Sequence, residues 1–401
     1  MNNPGQVKIN RRSFLKLSGL LAGTAMFSPF VDTLNLPLEE TLLDTAKIDK
    51  PRLRDLAEKL GIEVGISLRT IDRWKLYQYP EYLQSILQFA LIKDGYTNWP
   101  ESWLNNMSSY EYLAQLARFA KKNKMGLSLD NLSNWNWFQP PHEFASLRNG
   151  TREQLDALLI ESTRKHMEVP YFTDLSFASE PTGASEKDPP YWNDSPLYRL
   201  YGEDWPEMTY HLAWDEAQRI GRKVGEDLSF VYAIAGQIEV PNSAHAEYEY
   251  KHLTQLREKL AGDLGIERPF AIGMEYHIHY GAFPYFNGCW GPSVHQLNKP
   301  ELIEHFQRFN EIGDVMLNES SITGTDDPEK KKEALHIFLE AAIESKVVKR
   351  VLFWTPFFQP TGDTKNDAKE KTCDAIGMFK DDYTPDYMFD EMYKIFESYV
   401  V

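Results

Sequence analysis

Eight short, β-prone apolar runs alternate strictly with longer amphipathic stretches along this chain of 401 residues. The runs fall at Glu63–Leu68, Leu87–Ile92, Gly126–Leu132, Thr173–Glu180, Leu228–Ile234, Phe270–Ile278, Gly313–Glu319 and Lys349–Thr355. Helical periodicity marks Ser109–Lys122, Thr151–Glu168, Asp204–Val224, Glu247–Leu264, Pro300–Ile312 and Asp327–Ser345 between them. Some helix starts carry their own signals. Thr151 stands ahead of Glu153-Gln154, and Pro328 takes a first helical position behind Asp327. Such alternation calls for parallel strands joined by crossover helices. Eight units close on themselves, so the expected fold is a single-domain (β/α)8 TIM barrel of the α/β class. No glycine-rich dinucleotide or phosphate fingerprint follows any run, which argues against an open doubly wound sheet.

A barrel of this kind builds its site at the carboxyl ends of its strands. Glu180 ends the fourth run and Glu319 ends the seventh. Two carboxylates facing each other across the barrel mouth are the minimum equipment for cleaving a glycosidic bond. Taken alone, each serves equally well as a capping or salt-bridged surface glutamate.

The formal charge of −16 repels nucleic acid and anionic lipid and favours a neutral or cationic ligand. Solubility accounts for the same charge. Aromatic residues make up 13 %, including 10 Trp and 21 Tyr, enough for sugar stacking and for a large core alike. Cys289 and Cys373 are too few for a disulfide framework and lack metal spacing; whether they pair is open. Glu275-Tyr-His277-Ile-His279, with His295 nearby, has a metal-like look. Its residues share one face only on a regular strand, and no second cluster completes a site. No metal and no cofactor are therefore expected.

Residues 1–36 read as an export signal and linker, ahead of a barrel over 37–401. Asn10-Arg11-Arg12-Ser13-Phe14-Leu15-Lys16 runs into the apolar stretch Leu17–Phe27. Paired arginines before Phe-Leu-Lys resemble a twin-arginine signal, which implies the matching bacterial export machinery as a partner and a periplasmic or extracellular destination. The stretch is too short and too rich in Gly, Ala and Thr for a permanent span. No Ala-x-Ala cleavage site stands out, which leaves a retained anchor open.

Several segments resemble glycoside hydrolase family 10, the endo-β-1,4-xylanases and their relatives. Ser195-Pro-Leu-Tyr-Arg-Leu-Tyr-Gly-Glu-Asp204 is similar to the stretch that follows the family's acid/base residue. Leu53-Arg-Asp-Leu-Ala-Glu-Lys-Leu-Gly-Ile62 resembles its entry helix, and Gly377-Met-Phe-Lys-Asp-Asp-Tyr-Thr-Pro385 its closing motif. Ile272-Gly-Met-Glu-Tyr-His277 is similar to the sixth strand, and Val351-Leu-Phe-Trp354 to the eighth. The pieces run in the family's order across roughly residues 51–398.

That resemblance implies carbohydrate as substrate, Glu180 as general acid/base and Glu319 as nucleophile. It places His277 where it orients Glu319, and Trp354 at the floor of a sugar subsite. It also exposes departures. Ser179 replaces the asparagine before the acid/base, Glu275 a strand-six glutamine, and Ser321 the acid two positions after the nucleophile. Lys93-Asp94-Gly95-Tyr96-Thr97-Asn98-Trp99 replaces the second-strand pattern of Glu, Asn and Lys before a Trp. Asp130-Asn-Leu-Ser-Asn-Trp135 stands in for the third-strand His-x-x-x-Trp-His. Ser179, Glu275, Trp99, Asp130 and Trp135 thus join His277 and Trp354 as the expected substrate-binding set. With its sugar-binding shell altered, the chain is expected to act on β-linked glycans other than plain xylan. A catalytically silent, carbohydrate-binding barrel of the cell envelope is the alternative.

Overall fold

A computed structural model describes residues 51–68, 75–94, 107–130, 132, 151–183, 191–235, 240–279, 297–323, 325, 327–354 and 377–400. All belong to one compact unit, Ile48–Val401. The export signal, the boundary after residue 36, Cys289, Cys373 and His295 lie outside the described residues. Among the described residues, no helix is long and apolar enough to cross a membrane.

The sheet is a closed, all-parallel barrel of eight strands in sequence order. They are β1 Glu63–Leu68, β2 Leu91–Asp94, β3 Gly126–Leu129, β4 Asp174–Ser179, β5 Ser229–Ile234, β6 Ala271–His279, β7 Val315–Thr323 and β8 Val348–Phe353. The (β/α)8 expectation holds: helices follow the strands and cover the barrel, leaving the strands buried on both faces. The cap signals act as the sequence suggests. Thr151 Oγ1 accepts from Gln154 N while Gln154 Oε1 accepts from Thr151 N, a reciprocal capping box. Asp327 Oδ1 accepts from Glu329 N at 3.0 Å, with Pro328 in the first turn. The C-terminal helix Tyr387–Val400 packs on the entry helix Leu53–Lys59, and Tyr393 OH donates to Pro51 O at 3.1 Å.

Two strand boundaries differ in ways that matter to the site. Leu87–Phe89 is not strand: Leu87 caps the helix Pro80–Ile86, its N–H donating to Leu83 O, and β2 begins at Leu91. Glu319 does not end β7. The ladder between β6 and β7 continues to His279 and Thr323, past a register shift at Met274/Glu275 that leaves Asn318 as the extra residue. Elsewhere the ends move by a few residues. The helix expected over Asp204–Val224 stops at Arg219, ahead of Gly221 at φ +78°.

The barrel interior is layered. At its amino-terminal end Arg350 (β8) forks onto Asp174 (β4) at 2.9 and 3.0 Å and reaches Glu63 (β1) at 2.7 Å. Ser128 (β3) donates to the same Asp174. Above lies an apolar cluster of Val231, Ala271 and Met316. A second polar layer, at the carboxyl-terminal end, forms the site.

Candidate active site

Lys93, near the end of β2, is fully buried, and the charges of Asp130, Glu319 and Glu275 act on it. Its Nζ donates to Glu319 Oε1 at 2.6 Å and lies 3.2 Å from Asp130 Oδ2. The Trp354 ring centroid is 5.6 Å from the same ammonium, a cation–π distance. Trp354 itself follows β8 and donates its backbone N–H to Ser320 O at 2.9 Å. Glu319 Oε2 lies 3.6 Å from His277 Nε2. On the far side of that ring, His277 Nδ1 meets Ser321 Oγ at 2.9 Å. Glu319, Asp130, Glu275, His277 and Trp354 thus gather around a lysine.

Why these side chains meet follows from register. Residues 275 and 277 alternate onto one face of β6, and β7 runs beside it with Glu275 opposite Glu319 and His277 opposite Ser321. The extra residue at Asn318 sets this pairing; without it Glu319 would shift to the other face.

The electrostatics separate the acids. Burial works to lower the Lys93 pKa, but the charges of Asp130, Glu319 and Glu275 outweigh it, and the ammonium stays charged. Burial pushes Glu319 up; the Lys93 charge and His277 more than reverse that, so Glu319 is held below its ordinary value and ionised. Glu275 is raised well above the carboxylate range, first by burial and then by the negative charges of Glu319 and Glu180. The field of Glu180 therefore reaches the same pocket.

Burial also pushes Asp130 up, to about 6, against the pull of Lys93. A carboxyl raised on folding stabilises fully below its unfolded pKa, and that contribution is lost as pH rises through the folded value. Asp130→Asn is accordingly expected to raise the melting temperature above pH 6, by the equivalent of about 2–3 kcal/mol at 1.36 kcal/mol per unit. The gain should fade toward pH 4. Thermal melts of both proteins across pH 4–8 check this, and a gain independent of pH would contradict it.

Glu180 sits just past β4 in a left-handed conformation, φ 48°, uncommon for a residue with a side chain. Its N–H donates to Ala233 O at 2.9 Å, and its carbonyl accepts from Asn193 Nδ2 at 2.8 Å. Ser179 precedes it, buried at the last position of β4 beside Ala233. The turn after it is tied down at several points. Asn193 N donates to Pro181 O and Gly183 N to Tyr191 O, at 3.0 and 2.9 Å. Thr182 donates to the buried Glu249 and lies 3.3 Å from His245 Nε2. Trp192 Nε1 donates to Tyr248 OH at 2.7 Å.

Gly183, at φ +81°, packs so closely that an added Cβ would overlap His245 and stand 2.6 Å from Ala235 O. Gly183→Ala is expected to cost about 1–3 kcal/mol through overpacking. It should also lower turnover by displacing Glu180. A thermal melt together with kcat checks both.

Trp99 and Trp135 lie outside the described residues. Lys93, the hub of the cluster, was not among the expected site residues. The available signal was a lysine at the end of an otherwise apolar run, where a strand buried on both faces has no solvent to offer it.

No protein-family model matches the sequence, and neither does any curated protein. Among solved structures, xylanase 10B from Thermotoga petrophila RKU-1, in complex with xylobiose, superposes with a TM-score of 0.67 at 17 % identity, covering 89 % of this chain and all of that one. Native xylanase 10B from Thermotoga maritima gives 0.66 at 18 %, over 87 % of this chain and 98 % of its own. A family 10 endoxylanase retrieved from a sugarcane soil metagenome gives 0.65 at 15 %, over 86 % and 100 %. Identities of 15–18 % carry the fold and not the chemistry. In fold, this chain is a divergent barrel of the kind found in the family 10 xylanases.

Proposed function

We propose that the protein is a retaining glycoside hydrolase acting on β-linked glycans. The observation that carries this reading is Glu319: a buried carboxylate near the barrel's carboxyl end, kept ionised by Lys93 at 2.6 Å and flanked by His277 at 3.6 Å. In the first step Glu319 attacks the anomeric carbon while Glu180, protonated, gives its proton to the departing glycosidic oxygen. The C–O bond to the leaving group breaks and a glycosyl-enzyme ester forms. In the second step ionised Glu180 takes a proton from water, whose oxygen attacks the anomeric carbon and releases Glu319 with configuration retained. His277 orients the nucleophile, Trp354 floors the subsite, and Ser179 and Glu275 supply hydrogen bonds to sugar hydroxyls.

The sugar differs from plain xylan in this reading. The similar solved structures are xylanases by name, one of them in complex with xylobiose, but here Lys93 is committed to Glu319 and Asp130 and is too deeply buried to grip a glycone hydroxyl. The arginine pair at Arg11-Arg12 supports an exported enzyme that meets its glycan outside the cytoplasm.

The test is a panel of β-glycans and activated aryl glycosides, with product anomers followed by NMR. Wild type should cleave at least one member with retention. Glu180→Ala should lose about 10²–10⁴-fold on glycans, and much less on aryl glycosides whose leaving group needs no proton. Binding without cleavage across the panel, unchanged in Glu180→Ala and in Glu319→Ala, would instead establish a carbohydrate-binding barrel.

A further inference from the structure

The geometry points to a binding site for a borderline divalent cation such as Zn²⁺, formed by Glu275, His277 and Glu319 and competing with the glycan for Glu319. One ligand atom from each residue lies within 4.8 Å of the other two. The donor set, one imidazole nitrogen and two carboxylates, suits zinc-like ions rather than calcium or magnesium, which take oxygen alone.

Three further features support it. First, Ser321 Oγ at 2.9 Å engages His277 Nδ1, the kind of outer hydrogen bond that fixes a ligating histidine, while Nε2 is the ring nitrogen turned toward Glu319. Second, the 3.6 Å between Nε2 and Glu319 Oε2 is long for a hydrogen bond. It is close to the roughly 3.4 Å that separates two ligands sharing a tetrahedral zinc with bonds of about 2.0–2.1 Å. Third, Glu275 is only 2 % exposed, and its Oε1 finds no hydrogen-bond partner among the described residues. A buried acceptor in that state is costly, and an ion would satisfy it.

Charge points the same way. Glu275, Glu319 and Asp130 are three carboxyl groups gathered around one ammonium, Lys93. Lys93 takes Oε1 of Glu319 and leaves Oε2 to the ion. The second cluster of this type, Glu207, His211 and Asp263, is more exposed, and Lys259 already sits on Glu207. Binding stands on geometry alone. The competition rests on the reading of Glu319 as nucleophile, because the ion would hold the oxygen beside His277.

The experiment titrates Co²⁺ into the full chain, following the visible d–d absorption of four- or five-coordinate cobalt, and repeats the titration with Zn²⁺ by calorimetry. One ion per chain is expected. Ser321→Ala should weaken binding about 10-fold and His277→Gln by more, while His211→Ala leaves it unchanged. Glu275→Gln serves as a second ligand variant, with near-UV circular dichroism confirming that each is folded. A cobalt spectrum that stays that of the free aqua ion overturns the site, as does zinc affinity indifferent to both His277→Gln and Glu275→Gln. Zinc should also inhibit glycan cleavage competitively. If zinc binds through His277 yet leaves cleavage untouched, the cation site stands and the assignment of Glu319 falls.

Discussion

Lys93→Met is expected to lower kcat by about 10²–10³-fold, the range seen when one preorganised charge or donor is removed from a reacting centre. The side chain is completely buried, so it makes no sugar contact and KM should change little by comparison. Its role is to hold Glu319 ionised: its charge is the largest influence lowering that carboxyl against the burial that raises it. A carboxyl with a depressed pKa stays reactive down to a lower pH. Without Lys93 the Glu319 pKa rises, so the acidic limb of the kcat profile should move to higher pH. A purely structural lysine would lower stability without moving that limb. Methionine also strands two carboxylates, so the double variant Lys93→Met/Asp130→Asn, which strands one, provides a folded background. Wild-type kcat and an unmoved acidic limb in that background would show that Lys93 does not tune Glu319.

How much of this was legible in the sequence depends on which physical signal each element carries. The barrel was legible because alternation is a property of the whole chain and survives errors of a few residues in any one element. The tie between Glu319 and His277 followed from a resemblance; in the structure Glu319 on β7 and His277 on the neighbouring β6 lie 3.6 Å apart. Lys93 was hidden by a single misplaced boundary. Leu87, Phe89, Leu91 and Ile92 are all buried, and burial alone does not distinguish the last turn of a helix from the first residues of a strand. The expected strand, Leu87–Ile92, stops one residue short of Lys93, which the sequence singles out only as the start of the segment standing in for the family's second-strand pattern. The β7 bulge was illegible for another reason: Asn318 looks like an ordinary strand residue, and only pairing with β6 reveals that it is extra. The left-handed turn at Glu180 likewise depends on distant partners, Ala233 and Asn193, that no local pattern announces.

The largest stability effect is expected from the opposite end of the barrel. Arg350 is 5 % exposed and bridges three strands, with two bonds to the fully buried Asp174 and one to Glu63. Burial works against its charge, and the two acids reverse that and hold the guanidinium charged. Removing one partner of such a pair leaves an uncompensated charge in the interior, which costs about 3–5 kcal/mol. Arg350→Met should therefore lower the melting temperature by roughly 5–10 °C. Ser128 and Thr173 still donate to Asp174, but two neutral hydroxyls do not replace a bidentate cation. Adding Asp174→Asn removes the stranded charge, so the double variant should recover part of the loss, a coupling measurable as a double-mutant cycle. Strict additivity of the two single losses would show that the pair contributes nothing as a unit. Because Glu63 and Asp174 begin their strands, this layer lies away from the mouth, where a barrel keeps its stability rather than its chemistry. At temperatures where the variant remains folded, its kcat should stay within about twofold of wild type. The two buried cations thus predict opposite outcomes: Lys93 governs turnover more than melting, and Arg350 governs melting and leaves turnover alone.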